Sequence, residues 1–192
     1  AISTSKSQPN FKSLRIAFYT DNEIAKPDTA TLNTMHQVIS VLQTEVKHIE
    51  ARCPPHLIEL YSLITETFFL GGDKGLGLKN LFSQLGIKKP SYLVREFLAI
   101  SRNCEFSVTC PVAATPAKLH GRSFIEGHDF SYLNIFNLTG WPVLTVRCGS
   151  SPQGLPIGVQ IIAKPWHDST ALMIGHKLET LLGGWQKPPL FP

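Results

Sequence analysis

Charge is scarce in this sequence: Asp, Glu, Lys and Arg make up 17% of its 192 residues, and the basic excess is only +4. The densest basic cluster is Lys88-Lys89 beside Pro90, which is no block. Phosphate tracking needs a stripe of cations with stacking aromatics, so nucleic acid is not an expected partner. Long apolar runs are missing too, and none approaches the roughly 20 residues that span a bilayer. The opening stretch, Ala1 to Ser13, is polar and has no apolar signal-peptide core, so no membrane partner is expected. The four cysteines, Cys53, Cys104, Cys110 and Cys148, form no CxxC and have no histidine at metal-ligand spacing. Buried free thiols, a cytoplasmic location, no metal and no cofactor are the expectations. The motifs HExxH, GxSxG and GxxxxGK[ST] are all absent.

What is present describes a globular α/β chain. Hydrophobic residues make up 43%, enough to exclude disorder, and 14 Gly and 14 Pro are spread along the chain as many tight connections require. Residues 1–13 read as a flexible lead-in, and 14–192 as one structural portion. Leu14 to Tyr19 is a short apolar run of β-favouring residues, hence a buried strand. After Pro27 and Asp28, the residues Leu32, Met35, Val38, Ile39 and Leu42 recur at helical spacing. A second short strand at Glu45–Glu50 completes a unit of parallel βαβ size.

Further elements follow in order. A helix is predicted from Pro54-Pro55 to Leu70, with Leu57, Ile58, Tyr61, Ile64, Thr65 and Phe68 on one side. Helical stretches are expected over 78–85 and 92–101. Phe106 to Thr109 reads as a strand stopped by Pro111, and Phe130 to Leu138 as a helix. Val143–Val146 and Ile157–Ile162 read as strands joined by the turn residues 149–154. A last helix, capped by Asp168 or Ser169, runs to about Leu182 and ends at Gly183-Gly184.

Three places invite a chemical reading. Gly71–Gly77 mixes glycines with Lys74, but without phosphate-loop spacing or a feeding strand it reads as a helix connector. Ser150-Ser151 follows Gly149 as a nucleophile might, yet Pro152 and the flanking strands make it a turn, and an activated serine needs a base within reach. His128-Asp129 and His167-Asp168 are neighbours in sequence, which alone aims no carboxylate at an imidazole. Chemistry by itself therefore assigns no catalytic residue.

The last third carries something more specific. Phe136-Asn137-Leu138-Thr139-Gly140-Trp141-Pro142 resembles the amidase-signature family's Phe/Thr-Asn-x-x-Gly-x-Pro pattern. Gly154-Leu155-Pro156-Ile157-Gly158-Val159-Gln160 resembles its Gly-Leu-Pro-x-Gly-x-Gln strand, and Pro111-Val112-Ala113-Ala114-Thr115-Pro116-Ala117 its Pro-x-x-x-x-Pro-Ala loop. Leu14–Ala17 is similar to the strand that resumes the family's sheet, and Leu178-Glu179 suits its closing helix. The order and spacing hold over about residues 14–189.

The resemblance implies an amidase-signature fold: part of a large mixed sheet covered by helices. It also implies amide hydrolysis by a Ser-Ser-Lys set that the family carries N-terminal to the matched region. No residue here occupies those positions, so none is assigned as catalytic. The implied role is the substrate-pocket and scaffold part of an amidase, inactive without a Ser-Ser-Lys half; opening on Ala1 rather than Met agrees with an excised piece. The alternative is a catalytically dead amidase-like module for binding or structure. Implied partners are a small amide substrate and either the N-terminal half or a second copy. Pro111, Thr115, Asn134 and Trp141 are the expected substrate-pocket wall. Two departures stand out. Arg147 replaces a common Pro, and the Asn-Asp-x-x-Thr-x-Pro pattern of tRNA-dependent amidotransferases is missing, which points to a general amidase.

Overall fold

Strand β1 (Arg15–Phe18) enters the middle of the sheet, and the chain returns beside it through helix α1 (Thr29–Glu45) to β2 (His48–Ala51). The pairing is parallel, Arg15 opposite His48 through Phe18 opposite Ala51, as the βαβ reading requires. The structure is a computed structural model that describes residues 10–65, 107–122 and 126–187. The expected helices at 78–85 and 92–101 and the glycine connector at 71–77 lie outside the described residues.

Helix α2 (Leu57–Thr65) follows, then β3 (Ser107–Pro111), α3 (Ser131–Thr139), β4 (Val143–Ser150), β5 (Pro156–Ile162) and α4 (Asp168–Leu182). The five strands lie in the order β2-β1-β3-β5-β4, with β3 parallel to β1, and β5 antiparallel to both β3 and β4. The sheet is therefore mixed. Its two faces are both covered because successive strand residues point to opposite sides. Ile16, Val159 and Ile161 meet Met35, Val38 and Leu42 of α1 and Ile174 and Leu178 of α4. Ala17, Val108 and Ile162 pack on the other side with Leu57, Leu60, Tyr132, Ile135 and Phe136 of α2 and α3.

Local details refine the sequence reading. Asp28 is the N-cap of α1, its carboxylate accepting from the Thr31 N–H at 2.7 Å. On α2 the fully buried residue is Leu60, while Ile58 is half exposed; the packing partner α3 selects the 57/60/64 stripe. Position His167 caps α4 without a side-chain bond, so neither Asp168 nor Ser169 does so. The end of the lead-in is structured: Phe11–Ser13 makes a 3-10 turn, and Lys12 Nζ donates to the Thr44 carbonyl at 2.8 Å.

The hairpin is longer than its apolar core. Strand β4 runs to Ser150, with a bulge between Arg147 and Gly149. Ser150 is exposed, but Ser151 is buried, and its hydroxyl accepts from the Gln153 and Leu155 N–H groups at 3.2 Å each. Ser151→Ala should therefore cost about 1–2 kcal/mol and Ser150→Ala under about 0.5, a split that urea titration of the two single variants measures. Equal, small losses would return Ser151 to the surface.

Candidate pocket at the carboxyl ends of the parallel strands

In open α/β sheets, ligands bind beyond the carboxyl ends of the parallel strands, where loops converge. Here β3 ends at Pro111 and β5 begins at Pro156 on that edge, with the Val112 N–H donating to the Gly158 carbonyl at 3.3 Å. A cavity of about 160 Å³ lies there, walled by Val112, Thr115 and Ala117, by Phe130, and by Ile157 and Gly158. Glycine at 158 follows from the crowding. A Cβ at that position would stand 3.0 Å from Val112 Cγ2 and 3.2 Å from Thr145 Cγ2.

The walls are fastened by polar groups that local sequence does not announce. Gln160, 1% exposed, donates through Nε2 to the Pro111 carbonyl at 2.8 Å and the Tyr132 carbonyl at 3.1 Å, tying the end of β3 to α3. Asn22 is fully buried: its Nδ2 donates to Ser131 Oγ at 2.7 Å, and its Oδ1 accepts from the Ile24 and Ala25 N–H groups. The Tyr132 hydroxyl bonds the carbonyls of Thr20 and Ala25, and its ring stacks on Tyr19. Together these contacts fix the loop after β1 against the start of α3.

A charged cluster closes the outer side. Lys118 meets both Asp129 and Glu126, and Arg122 reaches Glu126 at 3.3 Å. Thr115 Oγ1 donates to Asp129 Oδ2 at 3.3 Å, and the Ala114 N–H donates to the Asp129 carbonyl at 2.9 Å. Desolvation pulls the Lys118 ammonium down, but its bonds to Asp129 and Glu126 outweigh that and hold it above the ordinary lysine value. The Lys118 bond likewise holds Glu126 below the usual carboxylate range.

The signs differ at the two ends of the pH scale. The raised Lys118 stabilises fully below its unfolded value of about 10.4 and loses that contribution as pH rises through its folded value; the depressed Glu126 stabilises above about 4.3 and loses it as pH falls through its own. The Glu126 carboxyl carbon shift should thus have its midpoint below the usual value of about 4.3, and a midpoint at or above that value would contradict this arrangement.

The four expected wall residues are dispersed. Thr115 lines the cavity. Pro111 sits in buried β3 and meets the site through its carbonyl. Asn134 is half-buried on α3, and Trp141 belongs to the core beneath α2 and α3, its indole N–H unpartnered among the described residues. Phe130 also lines the cavity, while Lys118 and Asp129 adjoin it through Thr115 and Ala117. Asp129 stands out in the sequence only as a neighbour of His128, whose Nε2 it does meet at 3.5 Å.

Elsewhere, three serine hydroxyls are engaged structurally. Ser131 accepts from Asn22, Ser150 from Arg147, and Ser151 from its own turn. Arg147 also donates to the Gly184 carbonyl and to Gln186 Oε1, pinning the segment after α4 to the bulge of β4. Burial pushes the Cys110 and Cys148 thiols up to about 12; burial, with Glu23 and Asp21, pushes Cys53 up to about 11. All three are free thiols. No group of potential metal ligands occurs among the described residues, and no helix among them is long and apolar enough to cross a membrane.

Comparison with known proteins defines the class. The Amidase family model matches residues 82–172. Fatty-acid amide hydrolase 2-A of Danio rerio is 40% identical over 72 residues, which are 38% of this chain and 14% of that protein. Fatty-acid amide hydrolase 2 of Homo sapiens is 33% identical over 81 residues, 42% of this chain and 15% of that one. A solved fatty acid amide hydrolase shares the fold with a TM-score of 0.70 at 16% identity, covering 93% of this chain and 41% of that structure. The sheet and its helices are thus an amidase-signature fold, and the family model and these relatives support an amidase-signature family member. It spans less than half the length of the relatives it matches.

Proposed function

We propose that this chain forms the scaffold and part of the substrate pocket of a hydrolase of amide carbon–nitrogen bonds, with the Ser-Ser-Lys set supplied from outside these 192 residues. One observation carries the reading. The Pro-x-x-x-x-Pro-Ala loop and the Gly-Leu-Pro-x-Gly-x-Gln strand, about 40 residues apart, wall the same apolar cavity at the functional edge of the sheet. In a reaction of this kind a neutral lysine takes the serine proton and backbone N–H groups hold the oxyanion. The cavity walls would seat the acyl portion of a small amide. Pro111, Thr115, Asn134 and Trp141 belong to this proposed site as wall or support.

A fluorophosphonate probe tests the division of labour: the chain alone should remain unlabelled, and stoichiometric labelling of one of its serines would overturn it. Hexanamide titration followed by amide chemical shifts at Ala113, Ile157 and Gly158 tests the pocket, and no movement at millimolar ligand would overturn that half. The other reading, an inert amidase-like binding module, uses the same cavity, whose described lining is supplied by this chain alone.

The proposal also expects a partner, either the serine-bearing half or a second copy. Among the described residues β4 ends the sheet, Val143 is 38% exposed, and Leu172 and Trp185 stand open beside a groove between β4 and α4. Open strand edges and apolar patches favour association. A stable monomer in sedimentation, silent to hydrophobic dyes, would favour the binding module.

A further inference from the structure

Resting on the pocket reading, we infer that Lys118 and Asp129 are a positioning pair whose contact sets the width of the cavity. The argument begins with what holds each part of the Val112–Lys118 wall. Val112 is tied to the sheet through the Gly158 carbonyl, and Ala114 is held twice, its carbonyl accepting from the Asp28 N–H at 2.8 Å and its N–H donating to Asp129. Beyond Ala114 the described ties change character. Thr115 is held by the Asp129 carboxylate, and Lys118 by Asp129 and Glu126.

Asp129 immediately precedes Phe130, the opposite wall, so one residue joins both sides of the cavity. The pair is well placed to act as a rigid strut. The Lys118 and Asp129 side chains are 10% and 11% exposed, which limits screening by water. The charged groups facing it are Glu126 and His128, with Arg122 on the outer side of Glu126. Lys118 thus answers two carboxylates at once, and its removal leaves both without their inner cation. Because Val112 keeps its bond to the sheet, the loss should be confined to the Ala114–Ala117 wall, where a loosened Asp129 withdraws its carbonyl from the Ala114 N–H, and leave the sheet intact.

The experiment compares wild type with Lys118→Met, Lys118→Arg and Asp129→Asn, using hexanamide titration and hydrogen exchange of the Ala114 amide at fixed pH. Lys118→Met should weaken hexanamide by about five- to tenfold and speed Ala114 exchange by about tenfold, as loss of a charge-assisted bond does. Lys118→Arg should restore both towards wild type, and Asp129→Asn should resemble Lys118→Met. Faster exchange with unchanged hexanamide affinity in Lys118→Met would overturn the positioning role, leaving a merely structural clamp. Unchanged exchange would overturn the strut itself. A wild-type chain that binds no hexanamide would instead overturn the pocket reading and the positioning role with it, so the wild-type titration separates the two failures.

Discussion

Gln160→Leu is expected to cost about 2–4 kcal/mol, because each buried carbonyl that loses its donor forfeits on the order of 1–3 kcal/mol. Two carbonyls are at stake, those of Pro111 and Tyr132, and the side chain that serves both is almost wholly removed from water. A glutamate at the same position sharpens the test. It keeps the shape but offers no donor when ionised, and burial raises its folded pKa above the unfolded value of about 4.3. A carboxyl raised in this way binds more protons in the folded state, so stability should recover as pH falls. Urea unfolding at pH 7 and pH 5 measures both effects. A Gln160→Leu loss below about 1 kcal/mol, or a Gln160→Glu loss that does not shrink in acid, would show that the amide is no hub.

Gly140→Val should be the second large loss, at about 2–3 kcal/mol. Gly140 ends α3 in the left-handed conformation, φ +67° and ψ +23°, with its N–H donating to the Phe136 carbonyl. A Cβ there would meet no atom within 4 Å, so the cost is purely conformational and rises with branching. Gly140→Asn should lose about 1 kcal/mol or less, since asparagine tolerates this geometry. Thermal unfolding of the two variants gives the comparison, and equal losses would mean that something other than φ governs the position.

The start of α1, the ends of α3 and α4 and the parallel βαβ unit were legible because they rest on local chemistry: apolar period, Asp28 at a helix start, glycine at helix ends. Which side of a helix is buried was less so. In α4, Leu172 and Leu181 are exposed while Gly175 faces β4, where a Cβ would come within 2.2 Å of Leu144 Cδ2. The closeness of that crossing is a property of two elements, and periodicity describes only one. Ser151 shows the same limit, since turn chemistry identified the loop while inward rotation of the hydroxyl depended on the Leu155 backbone returning beneath it.

For the site, the motif segments were visible as strings, and Thr115 among the named residues does line the cavity. Lys118 and Asp129 were not, because an ion pair 11 residues apart across a loop leaves no periodic trace. By itself the sequence determined the α/β class, the family likeness and the helix stops. Those depend on residue identity and short spacing, which a linear string preserves. Only the tertiary structure decided that two distant motifs wall one cavity, that Gln160 ties those walls, and that Trp141 supports the core. Such facts depend on which chain segments desolvate one another, and burial is fixed by the assembled fold.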